Sequence, residues 1–334
     1  MVESLSKDQR LALFERMLLM RRFEEMVIHA AAAHKYIGRN HLYIGHEATG
    51  AAALTQLEAG DLSYTTHRNH GHLIARGTDP GKALAEIMGR VGGLNGGRGG
   101  TWHLCDKATG FHSTSAMVGG SIGLSIGGGY ALKFQKKGRV SVALFGDGTL
   151  DEGISYESLN FASVFDLPVL FLCENNSKVG QRPSSMLAAK ALGDVPRALN
   201  MKTELVDGAD VEAVHATIAR TLAFIRKESK PVFVETTLER WPGSHQLKPE
   251  FTTGITDVSV AWDESKIGGQ HADWTRKSDP IRRFGRTLLD SKTASRDDLL
   301  AIDKRVSAQM QAARDFSEAS PFPKPESAIV GAFA

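Results

Sequence analysis

Two short apolar runs, VSVALF and PVLFLC, each end in a small polar cluster: GDG at residues 146–148 and ENN at 174–176. A carboxylate (Asp147) and a side-chain amide (Asn176) are hard oxygen donors, the kind Mg²⁺ accepts when phosphate oxygens complete its octahedron. Gly146 and Gly148 flank the acid and let backbone amides turn toward an anion. Either cluster alone is an ordinary turn or loop opening. Together, each closing an apolar run, they point to a cation and a diphosphate group sharing one cleft.

That chemistry requires elements that bring the two clusters together. Runs 140–145 and 168–173 read as buried parallel strands, with a helix over 152–164 between them. Right-handed crossovers carry successive parallel strands to the same edge, and ligands bind outside their carboxyl ends. Asp147 and Asn176, 29 positions apart in the chain, therefore converge, and a helix beginning near Asp151 would aim its positive end at the same place. TELVDGAD and VFVETTLER supply two more strand candidates around a helix over 211–227. The resulting fold class is α/β, a doubly wound and mostly parallel sheet flanked by helices.

Around this centre, residues 6–34 form an amphipathic stripe read as one long helix, and a small-residue helix comes after Gly45. Asp79, Pro80 and Gly81 mark a turn. Glycine is concentrated between 91 and 129: Gly96, Gly97, Gly99 and Gly100 read as a mobile loop lining the site, and 127–129 as the opening of a helix. A helical tail over 295–318 precedes SPFPKPES. The expected organisation is a single domain over 1–334 with an N-terminal helical extension and a C-terminal helical tail.

Composition narrows the function. The 334 residues are 42% hydrophobic and 23% charged with a formal net charge of +2, which fits a globular enzyme and gives no basic stripe for nucleic acid. Only Cys105 and Cys173 occur, suiting a reducing compartment. No segment reads as a signal core or membrane span. The expected location is the cytoplasm.

GDG followed about thirty residues later by NN resembles the thiamine diphosphate motif. The wider pattern, HLYIGHEA, HRNHG, NGGRGGTWH, AMVGG, FGDG, LPVLFLCENN and KSDPI, resembles the alpha subunit of the decarboxylase component of 2-oxo acid dehydrogenase complexes and its acetoin dehydrogenase relatives. The resemblance implies Mg²⁺ ligands at Asp147, Asn176 and the main-chain carbonyl of Lys178. It implies amides of Gly148 and Thr149, beside Gly146, on the diphosphate, with Arg68 and Arg240 as its guanidinium clamps. Ala116 and Val118 would support the aminopyrimidine, and His41, His70 and His245 would face thiazolium and substrate. A separate beta subunit in an α2β2 assembly is implied, with the acyl group passed to a lipoyl carrier. The cofactor's chemistry would be covalent, its thiazolium storing the carbanion left when a C–C bond breaks.

Three departures from the family pattern stand out. His67, still expected to hydrogen-bond to the cofactor, replaces the usual Tyr before the phosphate-binding Arg, TLDEG places Asp151 and Glu152 near the site, and RWPGSHQLKPEF replaces the usual loop around His245. Two alternatives share the GDG-to-NN site: a subunit of a transketolase-like enzyme moving ketol groups, and a non-catalytic subunit that binds thiamine diphosphate. Against the first stand HLYIGHEA and KSDPI. No G-x-G-x-x-G arrangement supports a nicotinamide enzyme.

Overall fold

The computed structural model describes residues 5–33, 35–36, 38–176, 187–244 and 256–329. Among these, six strands form one sheet: β1 (Leu62–Thr66), β2 (Phe111–Ser115), β3 (Ser141–Gly146), β4 (Val169–Asn175), β5 (Lys202–Asp207) and β6 (Val232–Thr237). Their order is β2-β1-β3-β4-β6-β5 and every pair is parallel. The chain runs outward from β1 to β2, then returns to lay β3 on the other side of β1. That reversal makes a crevice at the carboxyl ends of β1 and β3, where open α/β sheets bind ligands.

The central strands are apolar throughout because both faces are covered. Val142, Leu144, Leu170, Leu172, Val232 and Val234 join one core with the helices α1 (Lys7–Ala32), α2 (Glu47–Leu54) and α8 (Val211–Glu228). The alternate residues Ala143, Phe145, Val169, Phe171, Cys173 and Phe233 pack with Ile122 of α5 (Gly120–Gln135) and Leu159 and Ala162 of α6 (Gly153–Val164). Shorter helices complete the chain: α3 (His70–Arg76), α4 (Pro80–Ile87), α7 (Asp194–Ala198), α9 (Ala272–Lys277) and α10 (Pro280–Asp290), then the long α11 (Arg296–Ala319), which lies along α1 and α4.

Several local expectations change. Asp79 and Pro80 do not make an isolated turn: Asp79 caps α4, accepting from the Lys82 amide at 2.8 Å, and Pro80 is its first residue. Asp279–Pro280 opens α10 in the same way, a cap plus a preset φ. Residues 127–129 fall in the middle of α5, not at its start. A Cβ on Gly129 would sit 2.4 Å from the Val169 side chain, so glycine here lets the helix approach the sheet. The loop of Gly96, Gly97, Gly99 and Gly100 is fastened rather than mobile. The buried Glu86 carboxylate accepts from the amides of Asn95, Gly97 and Gly99 at 2.7, 2.9 and 2.5 Å.

Candidate active site

The crevice between β1 and β3 holds a cleft of about 240 Å³ lined by His46, Thr66, His67, Arg68, Val118, Gly146, Asp147, Gly148, Thr149, Glu174 and Asn176. Most of these residues lie at or just past the carboxyl ends of the strands. His67 and Arg68 come from β1, Val118 from the turn after β2, Asp147 to Thr149 from β3, and Asn176 from β4. Register explains the meeting of Asp147 and Asn176: Gly146 is opposite Glu174, so both polar clusters emerge side by side. A 3₁₀ turn, Asp147–Asp151, intervenes before α6 opens at Gly153. The amides after Asp147 therefore belong to that turn and not to a helix starting at Asp151. An added Cβ at Gly148 would meet nothing within 4 Å, leaving the backbone there open to a ligand.

Arg68 lines this cleft, and Arg240 lies close enough to act on both Arg68 and Asp147. Burial and the like charge of Arg240 pull the Arg68 pKa down to about 10, partly opposed by Glu174 and Glu24. Arg240 is also lowered by burial, with Asp147 acting in the opposite sense. Arg68 is held by donating to the Leu42 carbonyl. Paired, half-desolvated arginines repel each other, and an anion of two or more charges relieves that repulsion. The donor set thus fits a diphosphate, with Asp147 and Asn176 suited to its divalent cation.

The loop carrying His41 to His46 is wedged into place. Gly45, at φ +99°, passes the Glu239 carbonyl so closely that a Cβ would lie 2.8 Å from that oxygen, and the Trp241 amide donates to the Ile44 carbonyl at 3.2 Å. Beneath it Arg21 bonds Glu47 at 2.5 Å and Asp279 at 2.9 Å, all three buried. Burial opposes the Arg21 charge, yet Asp279 and Glu47 outweigh it and raise its pKa. Glu47 in turn accepts from the Gly45 amide at 2.8 Å.

His41 stands 4.3 Å from His67, ring centroid to centroid. Burial and the neighbouring His67 and Arg68 push His41 down to about 3, and burial with Arg68 pushes His67 to about 4. Both are neutral imidazoles near pH 7, and His41 Nδ1 has no hydrogen-bond partner among the described residues. His67 also bonds the backbone of Ala116, tying β1's end to β2's.

His70 sits elsewhere. It is 0% exposed, with Nδ1 3.1 Å from Glu24 and Nε2 3.0 Å from the Thr101 carbonyl, and it does not line the cleft. Facing a substrate would require breaking both contacts, so the structure makes His70 a brace for the loop and not a cleft residue. Lys178 and His245 lie outside the described residues.

A layer below the cleft was not read from the sequence. Glu174 is buried and accepts from the Tyr43 phenol and from His72 Nε2 at 3.2 Å, while Thr65 bonds His72 Nδ1 at 2.7 Å. Burial works to raise the Glu174 pKa, but His72, His46 and Tyr43 outweigh it and hold the carboxylate below its ordinary range. Burial and Glu174 push Tyr43 well above its ordinary value, which keeps it a donor. The available signal was the acid at the head of ENN and the HGH spacing of His70 and His72.

A family model described as "Dehydrogenase E1 component" matches residues 15–326, so the chain belongs to the dehydrogenase E1 component family, whose members use thiamine diphosphate. The alpha subunit of acetoin:2,6-dichlorophenolindophenol oxidoreductase from Bacillus subtilis is 33% identical over 322 residues, covering 96% of this chain and 92% of the relative. The alpha subunit of the pyruvate dehydrogenase E1 component from Rhizobium meliloti is 32% identical over 323 residues, covering 96% and 89%. Its counterpart from Rickettsia typhi is 30% identical over 318 residues, covering 95% and 93%. No helix among the described residues is long and apolar enough to cross a membrane.

Proposed function

We propose that the chain is the alpha subunit of a cytoplasmic, Mg²⁺- and thiamine-diphosphate-dependent dehydrogenase. It would act on a 2-oxo acid such as pyruvate, or on acetoin, and pass an acyl group to a lipoyl carrier. The observation that carries this is the cleft shared by Arg68, Asp147 and Asn176 at the sheet's reversal point, with Arg240 close enough to act on Arg68 and Asp147. When bound, the cofactor supplies an electron sink for a cleaved C–C bond.

The chain's own residues then have distinct tasks. Arg68 and Arg240 bind the diphosphate, joined by the amides of Gly148 and Thr149 beside Gly146. Asp147 and Asn176 hold the cation, with the Lys178 carbonyl as the third protein ligand. Ala116 and Val118 support the aminopyrimidine. His41 and His67, neutral and adjacent, are placed to donate or hold a proton near the substrate, and His245 joins them in this reading.

A beta subunit in an α2β2 assembly is part of the proposal, with the chain acting as one domain. An apolar face supports it. Leu124, Tyr130 and Phe134 on α5 and Ile154, Phe161 and Val164 on α6 are all exposed, Phe134 to 68%. Contiguous exposed apolar surface of this kind marks an interaction site, and it adjoins the cleft through Met117 and Val118, both exposed.

Calorimetric titration of thiamine diphosphate with Mg²⁺ tests the site. Metal-dependent binding that Asp147→Ala abolishes is the expected result. Binding unaffected by that change would remove the basis of the reading. Binding without turnover, with a beta partner and 2-oxo acids or acetoin supplied, would point to a non-catalytic subunit.

A further inference from the structure

His46 is wholly buried yet lines the cleft. Its ring lies against Tyr43, centroids 4.9 Å apart at 31°, and its Nε2 is 3.0 Å from the Asn176 side-chain nitrogen. An amide nitrogen carries hydrogens and has no lone pair to offer, so Asn176 donates and Nε2 accepts. The ring proton is therefore on Nδ1, which is buried with no hydrogen-bond partner among the described residues.

The opposite arrangement is chemically available. With the amide turned over, a proton on Nε2 would be donated to the Asn176 oxygen and Nδ1 would hold only a lone pair. In the structure Nε2 instead faces the amide nitrogen, an arrangement that leaves the ring proton on Nδ1. That choice leaves the amide oxygen as the end offered to the cleft.

We propose that His46 is a positioning residue for the divalent cation, holding the Asn176 side chain so that its oxygen, and not its NH₂, is presented to the metal. The inference rests on the metal site proposed above. The surrounding construction favours a fixed ring: Gly45 is wedged under the Glu239 carbonyl, and Glu47 is clamped by Arg21 and the Gly45 amide. Residues that orient a metal ligand from behind commonly change metal affinity about 10–100-fold when replaced.

The test is calorimetry of Mg²⁺ binding to the full chain at saturating thiamine diphosphate, for wild type, Asp147→Ala, His46→Phe and His46→Gln. Phe keeps the ring against Tyr43 and removes the acceptor, whereas Gln restores an acceptor oxygen. Expected are a Mg²⁺ dissociation constant about 10–100-fold weaker for His46→Phe and recovery to within about threefold of wild type for His46→Gln. Melting temperatures of the metal-free chains should stay alike. Should the Phe variant not fold, His46→Leu carries the same expectation. If Asp147→Ala abolishes metal binding while His46→Phe binds as wild type, the inference fails and the metal site stands. Equal weakening in the Phe and Gln variants would overturn the hydrogen-bond argument. Undiminished binding in Asp147→Ala would remove the metal site itself.

Discussion

Replacing Glu174 by Leu tests whether the buried layer under the cleft is held by hydrogen bonds or by packing. Leu fills similar volume, so little cavity forms, but two buried donors, the Tyr43 hydroxyl and His72 Nε2–H, lose their acceptor. Each orphaned donor costs about 1–3 kcal/mol, giving a loss of about 2–6 kcal/mol. Tyr43→Phe removes one of those donors. The double variant Tyr43→Phe/Glu174→Leu should therefore be less destabilised than the sum of the singles, by about 1–3 kcal/mol. Urea denaturation of the four proteins, followed by circular dichroism, measures all these terms. Glu174→Leu within about 1 kcal/mol of wild type, or strict additivity in the double variant, would refute the account, because an acceptor worth so little orphans nothing.

Two further outcomes arise from packing and charge. Gly129→Ala should destabilise by about 1–3 kcal/mol through overpacking, since its Cβ would meet Val169 at 2.4 Å, whereas Gly127→Ala, with nothing within 4 Å, should be neutral or gain up to about 1 kcal/mol of helix propensity; thermal melts of the two alanine variants decide it. Stability of the ligand-free chain should fall with acidification. His41 and His67 are depressed to about 3 and about 4 in the folded state, so below the ordinary histidine value of about 6.5 the unfolded chain binds the extra protons. Their contribution is present above that value and is lost as pH falls through about 4 for His67 and about 3 for His41, by up to about 1.4 kcal/mol per histidine per unit. His41→Gln should flatten that slope between about pH 6.5 and about 3, the window set by the His41 value.

Four strands are read from the sequence: β3, β4 and β6, which are buried on both faces, and the half-exposed edge strand β5. β3, β4 and β6 carry runs of three or more apolar residues because each side meets a core. β1 and β2, LSYTT and FHSTS, carry hydroxyls in place of apolar residues and gave no strand pattern. Thr65 is buried there because His72 satisfies it, a pairing that only the fold creates. The site divides along the same line. Asp147 and Asn176 lie just past β3 and β4, whose ends periodicity locates, whereas Arg68 follows β1, which shows no such pattern, and is offered only by the resemblance. His46, Tyr43, Glu174 and His72 come from three separate segments and act through one another, so no one of them has a local pattern to betray it. His70 misled for the converse reason: its type and its loop suggested chemistry, while its burial against Glu24 depended on where α1 would lie.

The Arg21–Glu47–Asp279 cluster ties helices near the two ends of the chain to the loop that carries His46. Arg21 belongs to the first helix and Asp279 caps a helix late in the chain, while Arg21, paired with both Asp279 and Glu47, holds the backbone from which His46 projects. The flanking helices are thus the abutments of an arch whose keystone is the cofactor loop. Trimming either flank back to the sheet would leave Asp147 and Asn176 in the sequence and, on the proposal made above, still slacken the Asn176 amide that His46 contacts.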